Sequence, residues 1–333
     1  MNGADFFKTL AQSETKRALP ILSFPAVQKM GITVRELVLS SERQAEAMRI
    51  VAESTPAAAS VSLMDLSVEA EAFGATVRFS DNEVPTVTGQ LIADGDEAEA
   101  LAVPSVGAGR TGLCVEAIRL AKKSISDRPV FAGIIGPYSL AGRLLDVTEI
   151  MYLLYDEPET VHAVLEKATA FLIAYAKAFR DAGADGIVVA EPLAGLLSPE
   201  MAAEFSHPYV RRLIDAVQTD GFAVVYHNCG NTVVRLLDGI ASLGAAAYHF
   251  GNAVDMGDVL AGMPKSCIVM GNIDPAGCFA SGTPDAMHKA VTVLLDRFGH
   301  EKNFILSSGC DIPPHASWDN IDTFFRAAEE WRA

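Results

Sequence analysis

One histidine and two cysteines have the residue types and spacing of a metal site. His227 and Cys229 are two positions apart, so at the end of an extended segment their side chains point the same way. Cys310 lies much further along the chain. Two thiolates and one imidazole are donors that Zn²⁺ prefers, and three protein ligands leave a fourth position open. We therefore predict a zinc site whose fourth ligand is water, a substrate thiol or Glu191.

Three further polar residues follow or end apolar runs and are candidates for catalysis. Glu191 is predicted to fill the open zinc position or to accept the proton of a substrate thiol. Asp65 and His249 are predicted to orient the substrate or to complete the surroundings of the metal. Asp65 has an alternative interpretation, because with Glu69 and Glu71 it also fits the acidic first turn of a helix.

Small and turn-forming residues supply a second set of candidates. Gly136, Asn272 and Asp274 each follow an apolar run and are predicted to bind a cofactor at the same end of the fold. Asn272 and Asp274 belong to the run GNIDP, whose residues all favour turns. A purely structural role in a turn therefore stays open for these two residues.

The elements that must position these side chains alternate along the chain. Eight short apolar runs are each followed by a segment of helical periodicity, the pattern of a parallel sheet with crossover helices. These predicted strands are residues 19–24, 59–64, 130–135, 186–190, 222–226, 246–250, 267–270 and 304–307. We predict the α/β class and one (β/α)₈ TIM barrel over residues 1–333, with a small hairpin inserted after the second strand at residues 75–92. Such a barrel gathers the carboxyl ends of its strands, and with them the candidate residues, at one mouth.

Composition and charge exclude several classes of protein. Of the 333 residues, 50% are hydrophobic and 20% are charged, which is too apolar for a disordered chain. The net charge of −16 disfavours nucleic acids and anionic membranes as partners. The first residues lack the apolar segment of a signal peptide, and the five cysteines form an odd number. These features together predict a cytoplasmic protein.

Six motifs are spread over nearly the full length of the chain. They are MDLSVEAEAFGA around Asp65, GPYSLAG at Gly136, AGADGIVVAEP ending beyond Glu191, HNCGN at His227, GNIDP at Gly271 and SSGCDIPP around Cys310. Through these motifs the sequence resembles the uroporphyrinogen decarboxylase superfamily. The resemblance implies a TIM barrel. It also implies one of two activities, because the superfamily contains cofactor-free porphyrinogen decarboxylases and zinc-dependent methylcobalamin:coenzyme M methyltransferases.

The resemblance is to the methyltransferase branch. Members of that branch bind zinc through a His-x-Cys pair and a distant second cysteine, which His227, Cys229 and Cys310 match. The decarboxylases carry an arginine-rich N-terminal segment and a Gly-His-Gly at the eighth strand end, whereas here only Arg17 lies near the first predicted strand and Cys310 replaces that histidine. The resemblance therefore implies methyl transfer from a methylated corrinoid, either methylcobalamin or a corrinoid protein, to a small thiol such as coenzyme M.

Two other functions stay open. Asp65 matches an acidic position of the superfamily, so a lyase that decarboxylates a carboxylated tetrapyrrole without a cofactor is the alternative enzyme. A non-enzymatic corrinoid-binding or metal-binding accessory protein would carry a purely structural zinc. A structural site of that kind has four fixed protein ligands, whereas the sequence offers three clear ones.

Overall fold

A curled parallel sheet positions the candidate residues. The structure, a computed structural model, describes residues 3–332, so Met1, Asn2 and Ala333 of the predicted domain lie outside the described residues. The strands are β1 Ser60–Val61, β2 Thr76–Arg78, β3 Thr86–Thr88, β4 Val130–Ile135, β5 Gly186–Ala190, β6 Ala223–Asn228, β7 Ala247–Phe250, β8 Val269–Ile273 and β9 Phe304–Ser308. Seven of them pair in parallel in the order β1-β4-β5-β6-β7-β8-β9.

Helices follow most of the strands and cover the outside of the sheet. They are α1 Gly3–Gln12, α2 Ala26–Met30, α3 Val34–Val38, α4 Ser41–Ser54, α5 Val68–Phe73, α6 Gly95–Ala100, α7 Thr111–Ser124, α8 Pro137–Leu145, α9 Val147–Asp156, α10 Pro158–Asp181, α11 Pro199–Phe205, α12 His207–Val217, α13 Leu237–Ala241, α14 Met256–Gly262, α15 Pro284–Phe298 and α16 Trp318–Glu330. Shorter 3₁₀ turns span Pro192–Leu196 and Val233–Leu236, and a π-helical turn spans Pro275–Ala280. Within residues 3–332, every helix falls short of the length or apolar character needed to cross a membrane.

Strand alternation decides which side chains reach the interior of the curled sheet. All five residues of β5 are buried, as expected for a parallel strand covered on both faces. Val188 and Ala190 of β5 join the inner core, while Ile187 and Val189 pack outward against the helices. The inner core also contains residues of α1, which covers the amino-terminal end of the sheet. Polar residues in the same inward register must therefore lie at the opposite end.

The predicted first strand is not a strand in the structure. Residues 19–24 form no ladder, and the sheet has seven strands where eight were predicted, so a complete eight-stranded barrel is not confirmed. The segment nevertheless contacts both edges of the sheet. Leu19 N donates to Leu306 O of β9 at 2.9 Å, and Ser23 Oγ donates to Val61 O of β1.

The amino acids of this segment explain why it forms no ladder. Pro20 has no backbone N–H, so it cannot donate to a neighbouring strand. Ile21 N donates to the side-chain Oγ of Ser308 at 3.1 Å instead of to a backbone carbonyl. The apolar run correctly predicts a buried extended segment, while the proline and the side-chain contact interrupt the regular pairing.

The segment predicted to be a hairpin contains the two remaining strands. β2 and β3 pair antiparallel, with Thr76 opposite Thr88 and Val77 opposite Val87, and form a separate two-stranded sheet. Just beyond them, the backbone N–H of Ile92 donates to Leu144 O of α8 at 3.1 Å. The placement of this hairpin as an insertion over the mouth of the fold stays a prediction.

Candidate active site

His227, Cys229 and Cys310 meet at the carboxyl end of the sheet. Their potential ligand atoms all lie within 4.8 Å of one another. The closest measured pair is His227 Nε2 and Cys310 Sγ, 3.5 Å apart. His227 is buried, and both cysteines are partly buried. The structure thus brings together the three residues that the sequence marks as zinc ligands, and we call them the thiol–imidazole cluster.

Strand register and one close backbone approach create this arrangement. Val225 of β6 belongs to the inner core, so His227, two residues on, also faces inward. Cys229 follows as the chain leaves β6. A Cβ at position 251 would lie 2.6 Å from the Cα of Cys229, so the chain after β7 can approach it only as glycine, Gly251.

The two thiols of the cluster are electrostatically unequal. A hydrogen bond from the Cys310 thiol, with a further contribution from His227, lowers the pKa of Cys229 to about 4. The same contact with Cys229, together with burial, raises the pKa of Cys310 well above its ordinary value. The pair therefore shares one proton between two sulfurs, and a divalent cation can replace that proton.

Behind the cluster lies a line of buried polar groups. His227 Nδ1 is 2.7 Å from His249 Nδ1 and 3.3 Å from His249 O. His249 Nε2 is 2.7 Å from Ser307 Oγ, which in turn donates to Leu19 O at 2.7 Å. Burial, aided by His227, lowers the pKa of His249 well below its ordinary value, so this ring is neutral at pH 7.

A pocket of about 70 Å³ opens onto the cluster. The described residues that line it are mostly apolar and include neither lysine nor arginine: Ile21, Met64, Leu66, Ala190, Pro192, His227, Cys229, Cys310 and Asp311. Such a pocket accommodates only a few non-hydrogen atoms, since pockets for drug-sized ligands measure about 300–1,000 Å³. It is also poorly suited to a group that carries several negative charges.

Asp311 is the acidic residue of this pocket, and the sequence analysis assigned it no role. Its Oδ1 is buried and has no hydrogen-bond partner among residues 3–332. Burial raises the pKa of its carboxyl group well above the ordinary value, although backbone N–H groups of Met64 and Ile312 act in the opposite direction. Its position directly after Cys310 was the available sequence signal.

Glu191 lies outside the thiol–imidazole cluster and is engaged by α8. Its side chain is fully buried and accepts hydrogen bonds from Tyr138 N at 2.7 Å and Ser139 N at 3.2 Å, in the first turn of that helix. Burial raises its pKa to about 8, against the effect of these N–H donors. A Cβ at Gly136 would lie 1.8 Å from Glu191 Oε2, so the glycine makes room for the carboxylate. Roles for Glu191 in catalysis and Gly136 in cofactor binding stay predictions.

Asp65 is buried in an ion pair with Arg110 and does not line the pocket. Its Oδ1 accepts hydrogen bonds from Ser67 N at 3.1 Å and Ser67 Oγ at 2.6 Å. Arg110 also pairs with Glu71 at 2.6 Å. Nearby Glu69 is buried, accepts a hydrogen bond from the backbone of β4, and has its pKa raised to about 7 by burial. A catalytic role for Asp65 stays a prediction.

Asn272 and Asp274 hold the loop after β8. Asn272 Nδ2 donates to Gly251 O and Val254 O, each at 2.9 Å. Asp274 Oδ1 accepts a hydrogen bond from Ala276 N at 2.9 Å, where it begins the π-helical turn. These contacts match the turn interpretation of the GNIDP run. Cofactor binding by the two residues stays a prediction.

Known methyltransferases and decarboxylases are similar to this chain. The chain is 30% identical to "Methylcobamide:CoM methyltransferase MtbA" of Methanosarcina acetivorans, over 80% of this chain and 78% of that protein. It is 25% identical to the "Uroporphyrinogen decarboxylase" of Hydrogenovibrio crunogenus, over 94% and 90% of the two chains. A solved structure described as "methyltransferase from Methanosarcina mazei" has the same fold, with a TM-score of 0.86 over 99% of both chains at 23% identity.

The family model described as "Uroporphyrinogen decarboxylase (URO-D)" matches residues 16–331. This match covers the thiol–imidazole cluster, the pocket and the whole parallel sheet. The chain belongs to the uroporphyrinogen decarboxylase family.

Proposed function

We propose that this protein is a zinc-dependent methyltransferase that moves a methyl group from a methylated corrinoid to a small thiol such as coenzyme M. The observation that carries the proposal is the convergence of His227, Cys229 and Cys310 within 4.8 Å. The name of the Methanosarcina acetivorans relative supports the substrates, since it specifies a methylcobamide and CoM. The corrinoid is the methyl donor, either as free methylcobalamin or carried by a partner protein.

The donor set of the cluster fits zinc. Zn–N and Zn–S bonds of about 2.0 and 2.3 Å in a tetrahedral arrangement separate neighbouring donors by roughly 3.5 Å or slightly more. The 3.5 Å between His227 Nε2 and Cys310 Sγ agrees with that separation. Glu191 is engaged by the amino end of α8, so the described residues offer three donors and leave room for a substrate as the fourth. This arrangement favours a catalytic over a purely structural zinc.

The chemistry requires a thiol to act as a nucleophile near neutral pH. A free thiol has a pKa of about 8.5, and bound zinc would lower it so that the thiolate predominates. Cys229 and Cys310, as thiolates, supply two negative charges that offset the charge of the cation and keep the incoming sulfur electron-rich. The thiol releases its proton to solvent as it enters, a sulfur–carbon bond forms as the cobalt–carbon bond breaks, and the electron pair of that bond stays on cobalt, which leaves as cobalt(I).

The pocket determines how the two substrates reach each other. Its volume of about 70 Å³ admits the thiol end of a small acceptor, while a corrin ring must present its methyl group from the mouth. Apolar residues such as Met64 and Leu66 exclude water from the nucleophile. Asp311 Oδ1, buried and without a partner in the described part of the chain, is available to accept a hydrogen bond from the S–H group of the incoming thiol before that group loses its proton.

The decarboxylase function is the second candidate, because a named decarboxylase is among the relatives. A carboxylated tetrapyrrole needs cationic partners for its carboxylates. The residues lining the pocket include neither arginine nor lysine, while two of them are thiols. The lining therefore favours methyl transfer to a thiol.

The proposal is tested with the zinc-loaded protein, methylcobalamin and coenzyme M, following the visible spectrum of the cobalt. We expect demethylation that requires both zinc and the thiol. Cys310→Ala should lose stoichiometric zinc and most activity, by more than the roughly 10–100-fold that removing an outer hydrogen-bond partner costs. Cys278→Ala, which removes a thiol outside the cluster, is the matched control and should retain both.

Three outcomes would contradict the proposal. Demethylation at the same rate without zinc would remove the metal from the reaction. Stoichiometric zinc in Cys310→Ala would remove that residue from the ligand set. Release of carbon dioxide from a porphyrinogen by the metal-free protein, with no demethylation of methylcobalamin, would support the decarboxylase.

A further inference from the structure

Three inward-facing residues form a continuous line of hydrogen bonds that ends on the thiol–imidazole cluster. His227 on β6 lies beside His249 on β7 in the sheet register. His249 reaches Ser307 of β9, and Ser307 reaches the carbonyl of Leu19, with 2.7 Å at each step. All three side chains are almost completely buried. Solvent therefore does not supply alternative partners, and each proton in the line must be assigned within the protein.

The backbone carbonyls at the two ends of this line decide which atoms carry protons. Leu19 O can only accept, so the Ser307 hydroxyl donates its one proton to that oxygen. Towards His249, Ser307 Oγ is then an acceptor. His249 Nε2 must then carry a proton and donate it to Ser307 Oγ. His249 Nδ1 lies 2.7 Å from His227 Nδ1, so one of these two nitrogens donates a proton to the other.

A second contact decides which of the two nitrogens donates. His227 Nδ1 also lies 3.3 Å from the carbonyl oxygen of His249, which can only accept, so His227 Nδ1 carries the proton and His249 Nδ1 accepts it. With the proton fixed on Nδ1, Nε2 of His227 holds a free lone pair. That atom is the one 3.5 Å from Cys310 Sγ.

We propose that His249 and Ser307 are positioning residues that hold His227 in the tautomer with a free Nε2 aimed at the two thiols. This inference rests on the proposed zinc-dependent function, since the free lone pair is the form that ligates a metal. His249 and Ser307 act through His227 and do not touch the metal or the substrates. Outer hydrogen bonds of this kind orient ligating histidines and contribute roughly 10–100-fold to metal affinity.

The test combines the tautomer of His227, measured by ¹⁵N NMR of the zinc-free protein, with zinc affinity from chelator competition. In the wild type we expect the His227 proton on Nδ1. Ser307→Ala removes the acceptor for His249 Nε2, so we expect mixed tautomers at His227 and a zinc affinity lower by roughly 10-fold or more. Ser307→Thr keeps the hydroxyl and should restore both measurements towards wild type.

Ser308→Ala is the matched control. Ser308 is the next residue on β9 and equally buried, but its hydroxyl serves Ile21 N and lies outside the line. We expect Ser308→Ala to leave the His227 tautomer and the zinc affinity unchanged. A general loss of packing would affect both serine variants, whereas the line of hydrogen bonds predicts an effect of Ser307→Ala alone.

Each result separates this inference from the proposed function. A wild-type protein with the His227 proton on Nε2 would contradict the proposed role of His249 and Ser307 without the need for any variant. Unchanged tautomer and affinity in folded Ser307→Ala would overturn it too, while leaving zinc-dependent methyl transfer intact. If the wild type bound no zinc but showed the Nδ1 tautomer, the hydrogen-bond assignment would stand and the proposed function would fail.

Discussion

Two groups of buried or partly buried polar side chains lie at the carboxyl end of the sheet, and they differ in how their polar atoms are used. In the thiol–imidazole cluster, His227 Nε2 and the two sulfurs face one another and an open pocket. The second group, which we call the carboxylate set, consists of Asp65, Glu69, Glu71 and Glu191. Each of its acids is engaged through at least one oxygen by an arginine or by backbone N–H groups, and Glu69 Oε2 is the oxygen left without a partner in the described residues.

A polar residue at a strand end marks a candidate site when its ligand atoms converge with others on an open pocket, as in the thiol–imidazole cluster. Both oxygens of Asp65 are engaged, by Arg110 and Ser67. Both oxygens of Glu191 accept hydrogen bonds from backbone N–H groups at the start of α8. Substitutions in the carboxylate set should therefore change stability and spare zinc binding. Substitutions in the thiol–imidazole cluster should abolish zinc binding and leave stability largely unchanged.

The largest expected effect in the carboxylate set is that of Arg110→Met. This change leaves Asp65 buried with an unpaired charge, which costs about 3–5 kcal/mol of unfolding free energy. Denaturant unfolding measures the loss, and zinc content should stay stoichiometric in the folded fraction. Adding Asp65→Asn removes the unpaired charge and should recover part of the lost stability.

Arg119→Met is the matched control for Arg110→Met. Arg119 lies on α7 and pairs with Glu116 three residues earlier, on the surface, so its removal should cost less than about 1 kcal/mol. If Arg110→Met retained normal stability but lost zinc or methyl transfer, the contrast between the two groups would be wrong. That result would move Asp65 and Arg110 into the reaction.

A smaller effect is expected from Gly136→Ala. The backbone at Gly136 is extended, with φ −85°, so alanine causes no strain there, but its Cβ would overlap Glu191 Oε2 at 1.8 Å. Displacing the carboxylate from α8 should cost about 1–3 kcal/mol, the usual range for overpacking, without changing zinc content. Gly221→Ala is the control, because a Cβ there meets no atom within 4 Å. Equal stabilities of the two variants would contradict the assigned role of Gly136.

The thiol–imidazole cluster could be predicted from sequence because its signal lies in the residue types. Imidazole and thiols two positions apart suggest a shared metal wherever the fold places them, and a parallel sheet brings distant strand ends together. The engagement of the carboxylates could not be predicted in this way. Whether Asp65 is free or paired depends on Arg110, and the state of Glu191 depends on backbone groups of α8, which have no residue-type signature.

For the fold, too, local sequence patterns predict the elements, whereas individual contacts could not be predicted. Seven of the eight apolar runs overlap strands of the parallel sheet, since a buried β-branched run is a local property of the sequence. The run at residues 19–24 fails as a strand because Pro20 lacks a donor and Ile21 N bonds to a side chain. Asp311 was missed for a related reason, because its position in the pocket and its unpartnered Oδ1 depend on contacts that the residue type does not indicate.

The sharpest prediction for the carboxylate set concerns the pH dependence of stability. Burial raises the pKa of Glu69 to about 7 from its ordinary value of 4.5. Between these values the folded protein keeps a proton that the unfolded chain has lost, so this residue makes stability fall as pH rises from about 4.5 to 7. The slope is at most about 1.4 kcal/mol per pH unit, and above pH 7 the contribution levels off.

Glu69→Gln removes this titration while keeping an acceptor for Ile135 N. Unfolding free energies of wild type and variant, measured from pH 5.5 to 8.5, should therefore diverge in favour of the variant as pH rises to 7 and run parallel above it. Glu329→Gln, at an exposed glutamate, controls for the change in net charge and should show no such divergence. If the pH curves of Glu69→Gln and wild type stay parallel while zinc binding changes, Glu69 serves the metal site and the contrast between the two groups fails there.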